Sequence, residues 1–345
     1  MDAEMQALSE LGVSHPRAPR AASGRRISMA DVAVRAGVSG QTVSRVVNDS
    51  PRVDPSTRAR VEAAMAELGY RPHRAARALR TGRTRTIGIV VSTLATVGNF
   101  RMLQAVADAA SARGYALAVV TATGPETLAD AFAQLHDHGV DGALVLNEAT
   151  AIARDAAAPD GLRLVVVDSP ADDRFGVVGS DHAGGARAAT AHLLAAGHGT
   201  VWHLAGPAGS YAAAERERGW REQLGDRPVP DPVRGDWSAA SGHSVGGLLA
   251  ERPDVTAVFV ANDQMALGLL RALADAGRRV PDDVAVVGFD DVPDAADFRP
   301  PLTTVRQDFD RLGEQAVSAL VDAIDGAAPT ASLTSTHLVV RDSAP

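Results

Sequence analysis

The 345-residue chain contains no cysteine, which removes disulfides, thiolate metal sites and a cysteine nucleophile from consideration. The same absence fits a reducing compartment. No run approaches the ~20 apolar residues that a membrane-spanning helix needs. The opening MDAEMQALSE is acidic and lacks a long apolar stretch, so no secretory signal is expected, and a cytoplasmic location is. Lysine is missing as well, and all 34 basic residues are arginine. With so much alanine and glycine, that points to a GC-rich genome rather than to a mechanism. Arginine keeps its bidentate reach to phosphate and guanine. The histidines offer little for metal binding or catalysis. His136 and His138 are two apart, on different helical faces, and His192, His198 and His203 lack ligand spacing. A dinucleotide-dependent enzyme would carry G-x-G-x-x-G after the first strand, where this chain reads STLATVGN. The expectation is a protein without cofactor, metal or enzymatic activity.

What is present is a lopsided charge. Up to Arg85, 15 arginines face 8 acidic residues, about +7, while the rest carries about −15 toward the overall −8. A basic head on an acidic body is the footprint of a protein whose head alone meets phosphates.

The head holds the most informative stretch, ISMADVAVRAGVSGQTVSRVVN, residues 27–48. Ser28 and Asp31 have the spacing of a capping box, and Val32, Ala33 and Ala36 form a narrow inward face. Gly37 suits a sharp left-handed turn. Ser39 then caps a second helix with Val43, Val46 and Val47 inward. Its outward face is Gly40, Gln41, Thr42, Ser44, Arg45 and Asn48, nearly all hydrogen-bonding groups. This is a helix-turn-helix, whose second helix enters the major groove, where Gln reads adenine and Arg reads guanine. A third helix is expected from Ser56, with Val61, Ala64, Met65 and Leu68 at helical spacing and Gly69 as its stop. Residues 71–86 follow with six arginines and little to bury. Alone they are too short for a stable helix, but on DNA they can fold with Leu79 as an apolar wedge.

From Thr86, buried strands alternate with helices. Strand-like runs occupy 87–92, 115–122, 141–147 and 163–169, and a second series occupies 201–206, 256–263 and 284–291. Helical stretches include 100–113, 126–138, 183–196, 238–250 and 263–276. Such alternation implies α/β architecture with parallel sheets and right-handed crossovers. Two series imply two doubly wound lobes with a ligand cleft at the carboxyl ends of their strands.

The segments DVAVRAGVSGQTVSRVVN, VEAAMAELGYRP, GDWSAASG (235–242), VANDQMALG (260–268), VAVVGFDD (284–291) and PPLTTVRQDF (300–309), with the Ala-Leu segment at 75–79, occur in one order. Together they resemble the LacI/GalR family of transcriptional repressors over about residues 27–342. The resemblance implies a helix-turn-helix head and a two-lobed body like the periplasmic binding proteins. It implies that Gly40, Gln41 and Arg45 choose operator bases, while Thr42, Ser44 and Asn48 contact phosphates or cap the helix, beside the capping Ser28 and Ser39. Gly40 departs from the tyrosine of one member, so the operator is expected to differ. Leu79 matches a hinge leucine that intercalates at the operator centre, and Arg74 and Ala76 are assigned to DNA with it.

In the cleft, the resemblance assigns Asp168, Arg216, Trp237, Asn262, Asp290 and Gln307 to the effector. Asn147 and Phe309 border them, and Asn99 and Phe100 lie in the first loop facing the ligand. Paired Asp and Asn groups, a forked guanidinium and a flat indole suit a sugar, most plausibly a galactoside. The alternatives are a regulator that needs a corepressor or a non-sugar effector, and a sugar-transport binding protein, which the head argues against. The loop STLATVGNFR (92–101) and Ala212, in place of an expected serine, depart from the family pattern.

The expected organisation is a disordered tail (1–26), a DNA-binding head (27–72), a hinge (73–86), a first lobe (87–180 with 309–336) and a second lobe (181–308 with 337–345). One helix-turn-helix reads half a site, so a homodimer on a pseudo-palindrome of operator DNA is expected. The resemblance places Leu267 and Phe298 near its interface. The leucine heptads that make one member a tetramer are missing after the last strand, HLVV (337–340).

Overall fold

A computed structural model describes residues 27–48, 50–70, 82–146, 149 and 161–345. Residues 1–26, the hinge residues Arg74, Ala76 and Leu79, and Asn147 lie outside the described residues. The chain divides between Arg77 and Ala78 into two compact units.

The first unit has three helices, α1 (Met29–Ala36), α2 (Gly40–Val47) and α3 (Pro55–Leu68). Their core is Val32, Ala33, Ala36, Val43, Val46, Val61 and Ala64, with Val47, Met65 and Leu68 partly buried against it. The third helix begins one residue before Ser56. Asp54 is its cap, accepting from the Ser56 and Thr57 amides at 2.9 and 3.2 Å, and Pro55 fills the first helical position. Proline suits that position because its missing N–H would have no partner there.

The second unit continues with β1 (Thr86–Val91), α4 (Val97–Ala112), β2 (Ala116–Thr121), α5 (Pro125–Asp137), β3 (Gly142–Leu146), β4 (Arg163–Val167) and β5 (Gly176–Ser180). Next come α6 (His182–Ala195), β6 (Trp202–Ala205), α7 (Tyr211–Leu224), β7 (Val233–Arg234), α8 (Ala239–Ala250), β8 (Ala257–Val260), α9 (Asp263–Asp275) and β9 (Ala285–Asp290). The chain closes with β10 (Thr303–Arg306), α10 (Phe309–Ile324), β11 (Ala331–Thr334) and β12 (His337–Val339).

The strands form two six-stranded sheets, ordered β11-β5-β4-β3-β1-β2 and β12-β10-β9-β8-β6-β7. Every pair is parallel except β10 with β12. Three connections pass between the sheets, after β5, after β10 and after β11.

Helices cover both faces of each sheet, which is why β3 and β9 are apolar at nearly every position and buried throughout. On the first sheet, Met102 and Val106 of α4 pack with Leu312 and Leu320 of α10, and Leu128, Phe132 and Leu135 of α5 fill the opposite face. On the second, Met265 and Leu269 of α9 join Leu249 of α8, opposite Leu193 of α6 and Trp220 of α7. Four strands and two helices go beyond the runs that periodicity picks out. β5 (GVVGS) carries two glycines, β7, β10 and β11 have at most four residues, and α7 is rich in charge. Each falls short of the signal that alternation or amphipathicity provides. The sixth of these elements, α10, crosses from the second sheet back to the first, so the lobe it completes cannot be read from chain order.

Candidate functional site

The head is built around paired caps. The Ser28 amide and hydroxyl donate to Asp31 Oδ2 at 2.8 and 2.6 Å, and the Asp31 amide donates back to Ser28 Oγ at 3.3 Å. Ser39 Oγ accepts from the Thr42 amide at 3.1 Å, and Gly37 adopts φ 65° in the turn between the helices. These contacts fix the start of α2, so Gln41 and Arg45, one helical turn apart, share a solvent-facing side. Gly40, Gln41 and Arg45 are exposed, and Thr42, Ser44 and Asn48 are half-buried. Asn48 Nδ2 donates to the Ser44 carbonyl at 2.6 Å and so ties down the end of the helix.

In the second unit, the carboxyl ends of β4, β9 and β10 and the first turns of α4 and α10 surround a cavity of about 490 Å³ including its open mouth. Eight sequence-nominated residues line it: Asn99, Asp168, Arg216, Trp237, Asn262, Asp290, Gln307 and Phe309, joined by Thr96, Gly98, Met102, Ala212 and Leu312. Phe100 does not. It is 56% exposed. Residues 99 and 100 belong to the first turn of α4, capped by Thr96, rather than to a loop, and one step round the helix turns Phe100 away from the cavity that Asn99 meets.

Arg216 is the hub. Its Nη2 lies 3.3 Å from Asp290 Oδ1, its Nη1 donates to the Ala261 carbonyl, and its guanidinium carbon sits 3.9 Å from the centre of the Phe289 ring. Gln307 Nε2 donates to Asp290 Oδ1 at 2.6 Å. Burial pushes the Asp290 carboxyl above the usual carboxylate range, with Arg216 and Gln307 opposing the rise. Burial also pushes Asp168 up, but His182 and the Ser180 amide outweigh it and hold that carboxyl below its ordinary value. Both Asp168 and Asp290 have positive φ, 59° and 114°, at the points where their strands end.

Trp237, also at positive φ (74°), lays its indole on Gly206, where any side chain would collide with the ring. Its buried Nε1 has no hydrogen-bond partner among the described residues. Asn262 spends both ends of its amide on structure. Oδ1 accepts from the Met265 amide at 2.9 Å to cap α9, and Nδ2 donates to the Trp237 carbonyl at 3.0 Å, steadying that backbone. Asn99 Nδ2 donates to the Thr93 carbonyl at 2.9 Å. At the mouth, the Val97 amide of α4 donates to Gln264 Oε1 of α9 at 2.9 Å, so the two lobes touch directly.

Two groups behind the cavity were not legible in the sequence. His182 opens α6 immediately after β5, and a strand interrupted by glycine gives no cue that a histidine stands at its carboxyl end. Asp263 is fully buried, accepting from Thr304 Oγ1 at 2.6 Å and from the Val292 amide at 2.8 Å. Burial and the nearby Asp290 push its carboxyl well above the ordinary range. A folded-state value above the unfolded one gives stability that is complete at low pH and is lost as pH rises through the folded value. Asp263→Asn removes that loss at the fixed penalty of one weakened hydrogen bond. Urea denaturation from pH 4 to pH 8 should show the variant gaining on the parent as pH rises; a difference independent of pH would refute the assignment.

Among the described residues, no group of three or more His, Asp or Glu side chains is arranged to hold a metal ion, and no helix is long and apolar enough to cross a membrane.

Comparison with known proteins covers both units. Residues 28–73 match the model of bacterial regulatory proteins of the lacI family, and residues 190–344 match a periplasmic binding protein-like domain. The lactose operon repressor of Escherichia coli (strain K12) is 39% identical over 311 residues, covering 88% of this chain and 86% of that protein. The crystal structure of the lac repressor dimer bound to operator and the anti-inducer ONPF superposes with a TM-score of 0.81 at 36% identity, covering 93% of this chain and 99% of that one. The complex of the transcriptional regulator CelR with cellobiose gives a TM-score of 0.68 at 35% identity, covering 92% and 100%.

Proposed function

Because the chain belongs to the lacI family of bacterial regulatory proteins, a family of DNA-binding transcription regulators, we propose that it is a repressor whose hold on operator DNA is released by a small neutral sugar bound between its lobes. The carrying observation is the charge of the cavity wall. Two buried carboxyl groups, Asp168 and Asp290, bracket a single guanidinium. Such a wall repels an anionic ligand and offers acceptors to hydroxyl donors. The Trp237 indole adds a flat apolar face and a spare donor at Nε1, the pairing that suits a pyranose ring. CelR has been solved with cellobiose, and the relative from Escherichia coli is named for the lactose operon. A galactoside or a related glycoside is therefore the ligand we favour.

On the head, Gln41 and Arg45 read bases, Gly40 leaves room between them and the groove, and Thr42, Ser44 and Asn48 meet phosphates or hold the helix. Ser28 and Ser39 fix the helix starts. The hinge residues Arg74, Ala76 and Leu79 act on the minor groove. One helix-turn-helix reads half a site, so the working form is a homodimer on a pseudo-palindrome, as in the operator-bound lac repressor dimer. Leu267, 44% exposed on α9, is an apolar residue suited to that interface.

Selected-site sequencing with the full chain should return a two-fold motif, and calorimetry should detect binding of lactose, cellobiose or their monosaccharides. Arg45→Ala should weaken operator binding by about 1–3 kcal/mol and relax the preference at one base pair per half-site, as expected for loss of one bidentate contact. Equal loss on operator and random DNA would instead make Arg45 a phosphate contact.

A further inference from the structure

His182 does not line the cavity, yet it joins the two groups that do so from opposite lobes. It stands where the chain first leaves the β5 sheet for the second lobe. Its Nε2 lies 3.0 Å from Asp168 Oδ1, and its Nδ1 lies 3.4 Å from both Nε and Nη2 of Arg216. Arg216 can only donate, so the Nδ1 that faces it must accept, and the ring proton belongs on Nε2, the nitrogen close to the carboxylate. The result is a buried chain: the imidazole Nε2 sits in close polar contact with the Asp168 carboxylate, Nδ1 accepts from Arg216, and Arg216 pairs with Asp290. The ring is fixed by Phe289, 5.9 Å away between centroids, the same ring that underlies the guanidinium.

We propose that His182 is a positioning residue for ligand binding, holding the Asp168 carboxylate and the Arg216 guanidinium in register across the two lobes. A ligand that bridges Asp168 and Arg216 then meets both groups already oriented, and the ordering entropy of two buried side chains is spent in folding rather than in binding. The lobes are coupled through the same ring. A change in their relative arrangement moves Asp168 with the first lobe and Arg216 with the second, and His182 sits on the connection between them.

This inference rests on the sugar reading, and the test separates the two. Lactose and cellobiose are titrated by calorimetry into the unaltered chain, His182→Phe and His182→Gln, with thermal melting of each. Phenylalanine fills the space without donor or acceptor. Glutamine restores a donor toward Asp168. The expected result is at least a tenfold loss of affinity in His182→Phe, partial recovery in His182→Gln, and unchanged operator binding by both variants without sugar. Affinity in His182→Phe equal to that of the unaltered chain, or no recovery in His182→Gln when both variants melt cooperatively, overturns the positioning role alone. If the unaltered chain binds neither sugar, the sugar reading falls and this inference with it.

Discussion

Arg216→Met should abolish sugar binding and lower the stability of the body by about 3–5 kcal/mol, the range for removing one partner of a buried ion pair. Methionine keeps much of the volume, so the loss reports chemistry rather than a void. The Ala261 carbonyl loses its donor, Asp290 loses its guanidinium and keeps the hydrogen bond from Gln307, and the His182 Nδ1 loses the donor that faces it. Asp290 is already pushed above the usual carboxylate range by burial, and losing the guanidinium raises it further. Its charged form becomes the expensive one, so the destabilisation should grow as pH rises. Urea denaturation followed by tryptophan fluorescence measures the loss. Operator binding by the folded fraction serves as the control, because Arg216 is in the body. A variant within 1 kcal/mol (about one kcal unit, small against the expected range) of the parent would mean that the pair contributes nothing net.

Gly268→Val is expected to be as damaging, for a purely steric reason. Helices α8 and α9 cross backbone to backbone. A Cβ on Gly268 would strike the Ala239 carbonyl and the His243 amide, and one on Gly242 would strike Met265. Relief requires separating two helices whose side chains fill one face of the second sheet, so the penalty should be at least about 3 kcal/mol, the upper end for overpacked cores. Gly247, on α8, is a control. A Cβ there meets nothing within 4 Å, so Gly247→Ala should stabilise by roughly 0.5–1 kcal/mol through reduced backbone entropy of the unfolded chain. Thermal melting of both variants decides the matter. Equal melting temperatures would contradict the close crossing.

The head was legible almost residue by residue, because its signals are local. Capping spacing, a left-handed glycine and two valine-lined faces all lie within 22 consecutive positions. The body was legible as alternation, since strands buried on both faces must be apolar throughout. The cavity is different. Asn99, Asp168, Arg216 and Gln307 are distant in sequence and meet only because the chain passes between the sheets three times. No periodicity carries that information, and the resemblance to a family supplied it. Side-chain roles were hidden for the same reason. Asn262 reads as a ligand group, yet its amide caps α9 and holds Trp237, and His182 reads as one more histidine until Asp168 and Arg216 are seen on either side of it. Phe100 shows the limit in the other direction, since a single step along a helix decides whether a residue faces the cavity or the solvent.

The central claim is that sugar in the cavity and operator on the head compete for the arrangement of one molecule. Equal sugar affinity in the two arrangements would shift nothing, so the claim requires a difference. The direct measurement is operator affinity, by fluorescence anisotropy on a selected site, at increasing concentrations of lactose or cellobiose, for the unaltered chain and for Arg216→Met. The account predicts that sugar weakens operator binding by the unaltered chain at least tenfold and leaves the variant's affinity unchanged. Operator affinity that is flat with sugar, or that tightens as sugar is added, would contradict it.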